Sequence, residues 1–231
     1  MLLKKYAAWF IGILFIVLVG AYIWQVQYVR YVANRLIDFN RGPAYAVKED
    51  LHGLYPRRDS MIVMFGNSIT EGVDWRELMD RSDIINRGIP GDDTKGMYNR
   101  IGVIAESKPK LICVMAGIND MLLFGRSNDV IFESYTRLLA KVKEKKIRLL
   151  VFSTLHVLDR QQGANERINA LNTRMQAWCL TNNIEYMDLN PELSVNGSLA
   201  AEYTSDGLHL SAAGYMVWGL ALSKKLNEMA V

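Results

Sequence analysis

The residues of this 231-residue sequence best suited to chemistry are a serine and a histidine that lie far apart in the chain. Ser68 stands in the run Gly66-Asn67-Ser68, and His209 follows Asp206 by three residues. A serine hydroxyl becomes a nucleophile when a base takes its proton. An aspartate that holds one imidazole nitrogen leaves the other nitrogen free to act as that base. These residue types therefore indicate nucleophilic catalysis.

The same residues also have structural interpretations. Ser68 and Thr70 are residue types that cap a helix N-terminus. Asp206 or Ser211 could cap the last predicted helix and leave His209 without a chemical role. The G-x-S-x-G elbow of α/β-hydrolases is not matched, because position 70 is a threonine.

Two further positions could stabilise negative charge during ester cleavage. Gly91 offers a backbone N–H in a tight loop, and Asn119 offers a side-chain amide. Such donors act on the charge that builds on the carbonyl oxygen, and losing one costs roughly 100–1000-fold in rate. The alternative for Gly91, and for Asn119 beside Asp120, is an ordinary turn role.

The elements that must position these residues alternate along the chain. Short apolar runs predict strands at 61–65, 84–85, 111–115, 147–152 and 184–187. Helical patterns separate them at 74–80, 94–106, 128–145 and 164–182, and a last one covers 211–228. Strands that alternate with helices predict an α/β fold. The expected architecture is three-layer α/β/α with a central parallel five-stranded sheet, flavodoxin-like, preceded by an N-terminal transmembrane helix.

Ligands of such sheets bind beyond the carboxyl ends of the strands. The polar residues cluster at those ends, since 66–68 follow the first strand, 86–92 the second and 117–120 the third. His156 follows the fourth strand and could contact substrate, although a polar loop residue is the alternative. The sequence therefore predicts one functional edge.

The N-terminus predicts a membrane anchor. Residues 6–24 are almost entirely apolar, long enough to cross most of a hydrocarbon core about 30 Å thick. Residues 1–28 are therefore interpreted as a single-pass anchor, with the catalytic domain periplasmic or extracytoplasmic. The alternative is a signal peptide that is cleaved before secretion. Residues 29–58 form an amphipathic lead-in that Gly42-Pro43 interrupts, and 59–231 form the catalytic domain.

Composition excludes several classes of protein. Half of the residues are hydrophobic and the formal net charge is +3, which indicates a globular domain and no nucleic-acid partner. Cys113 and Cys179 lie in apolar segments and are expected to be buried free thiols. Asp92, Asp93 and Asp120 lack the spacing of a metal site. The oligomeric state is left open.

In their order along the chain, four blocks resemble the SGNH hydrolases, also called GDSL-type esterases and lipases. The resemblance covers about residues 60–225 and rests on four blocks, 66–70, 86–92, 117–120 and 206–209. It implies that Ser68 is the nucleophile, with its own N–H, Gly91 and Asn119 forming the oxyanion hole. It implies that His209 is the base and that Asp206 is its partner.

The resemblance further implies a serine ester hydrolase that works through an acyl-enzyme, with no cofactor and no metal. The bond cleaved is expected to be a carboxylic ester or a thioester, and the expected substrates are small-molecule, lipid or acylated-polysaccharide esters. Asn67 stands where the family usually has aspartate, and Asn67, Asp120 and His156 are possible substrate contacts. An O-acyltransferase using the same residues is one alternative, and a non-catalytic carbohydrate- or partner-binding module is another.

Overall fold

The computed structural model describes residues 2–55, 59–158 and 163–231. They divide into two compact units, Met1–Pro43 and Ala44–Val231. Helix α1 spans Leu2–Leu54, so the interruption predicted at Gly42-Pro43 is wrong. Glycine and proline disfavour a helix only as a local preference, which the surrounding structure can override. The predicted boundaries at 28 and 58 stay predictions.

The membrane-spanning helix predicted for residues 1–28 is not supported. Within the described part of the chain, no helix combines the length and the apolar character needed to cross a bilayer.

The larger unit is built on a parallel sheet of five strands in the order β2-β1-β3-β4-β5. The strands are β1 (Ile62–Gly66), β2 (Ile84–Gly88), β3 (Leu111–Val114), β4 (Arg148–Phe152) and β5 (Glu185–Met187). Their side chains are mostly buried, as expected for parallel strands covered on both faces. The predicted three-layer α/β/α fold with five parallel strands is confirmed.

Helices cover the two faces of this sheet. Helices α4 (Thr94–Glu106), α6 (Asn128–Lys143) and α7 (Ala164–Thr181) pack side by side, and α3 (Trp75–Met79) packs against α9 (Ala212–Glu228). Right-handed crossovers explain this division. From β1 to β2 the chain moves across the sheet in one direction, and from β2 through β3 and β4 to β5 it moves in the opposite direction. Connections of the same hand that run in opposite directions place their helices on opposite faces. The strand order reverses between β1 and β3, which is where ligands bind in sheets of this kind.

Five short elements complete the unit: α2 (Ser68–Glu71), α5 (Ile118–Leu122), α8 (Asn190–Leu193), a hairpin of β6 (Ser194–Val195) with β7 (Ser198–Leu199), and a 3₁₀ helix (Ala201–Tyr203). Each is too short for hydrophobic periodicity to reveal. Two of them, α2 and α5, begin directly beyond the carboxyl ends of β1 and β3. They therefore carry Ser68 and Asn119, two of the residues that the sequence singled out.

Aromatic packing fixes α9 on its face of the sheet. Trp218 of α9 meets Trp75 of α3 and Phe152 of β4 edge-on, with ring centroids 4.7 and 5.1 Å apart. All three side chains are fully buried. Aromatic pairs of this geometry add to the burial of apolar area. The position of α9 matters because His209 lies three residues before it. Elsewhere in the core, Cys113 and Cys179 are buried free thiols, as predicted.

Candidate functional site

Ser68 is the first residue of α2, directly beyond the carboxyl end of β1. The helix cap is the preceding residue, because Asn67 Oδ1 accepts a hydrogen bond from the backbone N–H of Ile69 at 3.0 Å. Neither Ser68 nor Thr70 is therefore the capping residue. Asn67 is fully buried, and its Nδ2 has no hydrogen-bond partner among the described residues. This burial favours a structural role for Asn67, as the cap of α2, over the predicted contact with substrate.

A chain of hydrogen bonds joins Ser68 to the histidine block 141 residues later. His209 Nε2 lies 2.9 Å from Ser68 Oγ, and His209 Nδ1 lies 2.7 Å from Asp206 Oδ2. A proton on Nδ1, facing the carboxylate, leaves Nε2 as the acceptor for the serine proton. The arrangement can therefore withdraw a proton from Ser68.

Asp206 is held in its anionic form. Hydrogen bonds from the His209 ring, and from the backbone N–H groups of His209 and Leu208, lower the pKa of the carboxyl well below its usual range. Oδ1 accepts the two backbone bonds at 2.8 and 2.9 Å, so the carboxylate cannot rotate away from the ring. Asp206 does not cap α9, because Ser211 occupies that position.

The loop that carries His209 is fixed from both sides. Thr204 Oγ1 donates to the His209 carbonyl at 2.7 Å and accepts from the Gly207 N–H at 2.9 Å. Tyr215, in the first turn of α9, donates its hydroxyl to the carbonyl of Ile69 in α2 at 2.8 Å. This bond links the helix after the histidine to the helix that carries Ser68. Nothing in the sequence singled out Tyr215.

Gly91 lies in a tight turn after β2. The N–H of Asp92 donates to the Ile89 carbonyl at 3.2 Å, Pro90 occupies the second position of the turn, and Gly91 has φ 76°. These are the features of a type II turn, whose third position favours glycine. The ordinary turn role left open for Gly91 is thus present, and the turn also fixes the direction of its N–H.

Asn119 lies in the first turn of α5, beyond β3. Its Nδ2 donates to the carbonyl of Asp92 at 2.8 Å, so one of its two amide hydrogens is used to hold the turn after β2. Gly117 permits the entry to α5, because its φ of 104° is disfavoured for residues with a side chain. The structure brings the second and third sequence blocks into direct contact.

Asp92 is the last residue of the turn that contains Gly91, and it is almost completely buried. Its carboxylate pairs with Arg100 of α4, whose Nε lies 2.7 Å from Oδ2. Burial raises the pKa of Asp92 to about 6, and the charge of Arg100 opposes that rise. Arg100 was missed at the sequence level. A charged residue on the apolar face formed by Met97, Ile101 and Ile104 was the available signal.

Asp120, predicted as a possible substrate contact, is fully buried. Its oxygens accept from the Thr94 N–H at 2.9 Å and the Thr94 hydroxyl at 2.7 Å, and they pair with Arg126. Burial raises the pKa of this carboxyl. Arg126 also pairs with Asp93, the cap of α4. These contacts favour a structural role, in which Asp120 ties α5 to α4.

His156, the other predicted substrate contact, is also buried. Its Nδ1 lies 2.9 Å from Ser194 Oγ and its Nε2 lies 2.7 Å from Asn169 Oδ1. Both ring nitrogens are occupied within the protein. The polar loop alternative describes this residue better than contact with a substrate.

No group of three or more histidine, cysteine, aspartate or glutamate side chains in the described ranges is placed to hold a metal ion.

Solved structures with the same architecture include several esterases and lipases. A GDSL-like lipase from Bacteroides thetaiotaomicron has 21% identity and a TM-score of 0.68, with 80% of this chain and 98% of that chain covered. The lipase/acylhydrolase from Enterococcus faecalis has 22% identity and a TM-score of 0.62, with 74% and 96% covered. A carbohydrate esterase family 3 protein from Talaromyces cellulolyticus has 18% identity and a TM-score of 0.60, with 74% and 97% covered. These likenesses concern the fold.

Sequence comparison finds relatives that match part of this chain, and it finds a matching family model. N-acylneuraminate cytidylyltransferases of Streptococcus agalactiae are 34% identical over 98 residues, which is 42% of this chain. The chain spans about a quarter, 24%, of the length of these relatives. The model of the GDSL-like lipase/acylhydrolase family matches residues 64–217, which include all four blocks. With that match over most of its length, the chain belongs to the GDSL-like lipase/acylhydrolase family of ester hydrolases.

Proposed function

We propose that this protein hydrolyses carboxylic esters through an acyl-enzyme formed on Ser68. His209 Nε2 removes the hydroxyl proton as Ser68 Oγ attacks the ester carbonyl carbon. The protonated imidazole then gives that proton to the leaving alcohol. Water attacks the acyl-enzyme in the second step, with His209 again acting as base, and the acid is released. The observation that carries the proposal is the hydrogen-bonded chain from Ser68 through His209 to Asp206.

The oxyanion of each tetrahedral intermediate would be held by three donors. We assign them to the N–H groups of Ser68 and Gly91 and to the free amide hydrogen of Asn119. The contact between Asn119 and the carbonyl of Asp92 supports the assignment, because it fixes the second and third donors relative to each other. Donors fixed before the reaction cost no reorganisation when the charge develops.

Among ester classes, we favour small acyl groups on sugars. The partial relative is named for a sugar acid, and one solved relative is named as a carbohydrate esterase. The side chains of His209 and Asp206 are 39% and 52% exposed, so an ester on a bulky sugar could reach them. Lipid esters remain a second class to test. The predicted extracytoplasmic location also stays a prediction.

Labelling with a fluorophosphonate tests the nucleophile. We expect the wild type to be labelled and to hydrolyse acetyl esters, and Ser68→Ala to lose both properties while its unfolding transition is unchanged. Ser134→Ala, a serine of α6 outside the site, is the matched control and should behave as the wild type.

A Ser68→Ala variant that keeps most of its turnover would refute the assignment. A folded wild type that is neither labelled nor active would favour the binding-module alternative. Product analysis with and without a polyol acceptor separates hydrolysis from acyl transfer, since only a transferase would convert the acceptor into an ester.

A further inference from the structure

Asp92 determines where both loop donors of the candidate oxyanion hole lie. Its backbone N–H closes the turn that contains Gly91, and its carbonyl accepts from Asn119 Nδ2 at 2.8 Å. A displacement of Asp92 would therefore move both Gly91 and Asn119. The question is what holds Asp92.

One support comes from Arg100 of α4. Its Nε donates to Asp92 Oδ2 at 2.7 Å, and its other nitrogens donate to the carbonyls of Gly66 at 3.0 Å and Arg87 at 2.8 Å. Gly66 ends β1 and is the first residue of the block that contains Ser68, and Arg87 lies near the end of β2. One buried guanidinium thus ties the two strand ends to the turn.

A second support comes from α1, outside the segment that matches the family model. The hydroxyl of Tyr45 donates to Asp92 Oδ1 at 2.9 Å, and the Tyr45 side chain is buried. Tyr45 belongs to the compact unit Ala44–Val231. From the same stretch of helix, Lys48 pairs with Glu71 at the end of α2. Tyr45 and Lys48 therefore link this stretch of α1 to the turn after β2 and to the helix that carries Ser68.

The backbone of α4 leaves space for this contact at one residue. A Cβ added at Gly96 would lie 2.2 Å from Asp92 Oδ1 and 2.8 Å from the Tyr45 hydroxyl oxygen. Real Cβ atoms do not approach other atoms so closely, so any side chain here would separate the two groups. The glycine at position 96 is thus matched to the bond between Tyr45 and Asp92.

We propose that Tyr45 is a positioning residue for the oxyanion hole, which it acts on through Asp92 together with Arg100. This inference rests on the proposed function of Ser68, Gly91 and Asn119. Oxyanion donors are effective only when their geometry is fixed in advance. A displacement of about 1 Å can cost about 100-fold in rate. The helix before the family domain thus supports catalysis indirectly, by holding Asp92 in place.

The test is Tyr45→Phe in the full chain, with Tyr55→Phe as the matched control in the same segment. We expect kcat of Tyr45→Phe to fall by about 10- to 100-fold, with KM unchanged within about twofold. Binding of a boronic acid, which forms a tetrahedral adduct on the serine, should weaken by the same factor as kcat. Tyr55→Phe should match the wild type in all three measurements.

Other outcomes would overturn the inference. A wild-type kcat in Tyr45→Phe would refute it, whether or not the variant also has a lower melting temperature or a higher KM. If Tyr45→Phe does not fold, Gly96→Ala is the second variant, because its Cβ would displace the Asp92 carboxylate and the Tyr45 hydroxyl from each other. It should lower kcat, and a wild-type kcat in Gly96→Ala would refute the inference. A wild type that hydrolyses no ester would refute the proposed function and this inference together. An active wild type with an equally active Tyr45→Phe would refute the inference alone.

Discussion

At the scale of single residues, the contact between His209 and Asp206 predicts how a change of Asp206 affects kcat. Asp206 orients the His209 ring through Oδ2 and is fixed by two backbone N–H groups through Oδ1. Asp206→Asn keeps the shape but presents an amide to the ring and removes the charge that stabilises the imidazolium. We expect kcat to fall by about 10²–10⁴-fold with the fold intact. Steady-state kinetics and circular dichroism measure the two effects, and unchanged kcat would contradict the role of Asp206.

The same residue predicts a dependence of stability on pH. Because the folded-state pKa of Asp206 is lowered, the carboxylate stabilises the fold above its unfolded pKa of about 3.9. This contribution is lost as the pH falls below that value. The side chain is half exposed, so it should amount to at most about 1 kcal/mol. The difference in unfolding free energy between wild type and Asp206→Asn should be present at pH 7 and diminish towards pH 2.

At the scale of elements, the site depends on how closely α2 packs against β2. A Cβ at Gly88 would lie 2.5 Å from the Glu71 backbone nitrogen and 2.8 Å from the Asn67 carbonyl oxygen. Both neighbours are backbone atoms, which cannot move as a side chain does. Gly88→Ala should lower the free energy of unfolding by about 1–3 kcal/mol or more and reduce labelling of Ser68.

Gly102→Ala is the matched control for that variant. Gly102 lies inside α4 with no atom within 4 Å of an added Cβ. Alanine should therefore stabilise the helix by up to about 1 kcal/mol. Chemical denaturation of the two variants measures both effects. Equal stability changes in the two variants would contradict the close packing of α2 on β2.

At the scale of the whole molecule, the two compact units predict where the chain can be shortened. Every contact described for the site lies within Ala44–Val231. Removal of residues 1–43 should therefore leave kcat unchanged. Removal of residues 1–58, the domain boundary expected from the sequence, also removes Tyr45 and should lower kcat at least as much as Tyr45→Phe. Equal kcat for the two truncated chains would contradict the positioning role of Tyr45.

Much of the framework could be predicted from the sequence because it depends on local periodicity. The predicted strands overlap β1 to β5, and the helix predicted at 94–106 coincides with α4, since burial on one or both faces repeats every few residues. Ser68, Gly91, Asn119, Asp206 and His209 could be singled out because each follows a predicted strand or precedes a predicted helix. Chain neighbours alone determine those signals.

The tertiary structure alone decided which polar residues meet. Asp120 and His156 follow strands as the candidate donors do, yet both are buried and bonded within the protein. Tyr45 carried no local signal, and the signal for Arg100 was only its place on an apolar helix face. They reach Asp92 across 47 and 8 residues. Such contacts depend on strand order and helix packing, which bring distant side chains together. The sequence by itself determined the candidate residues and their supporting elements, and long-range packing decided which of them form the site.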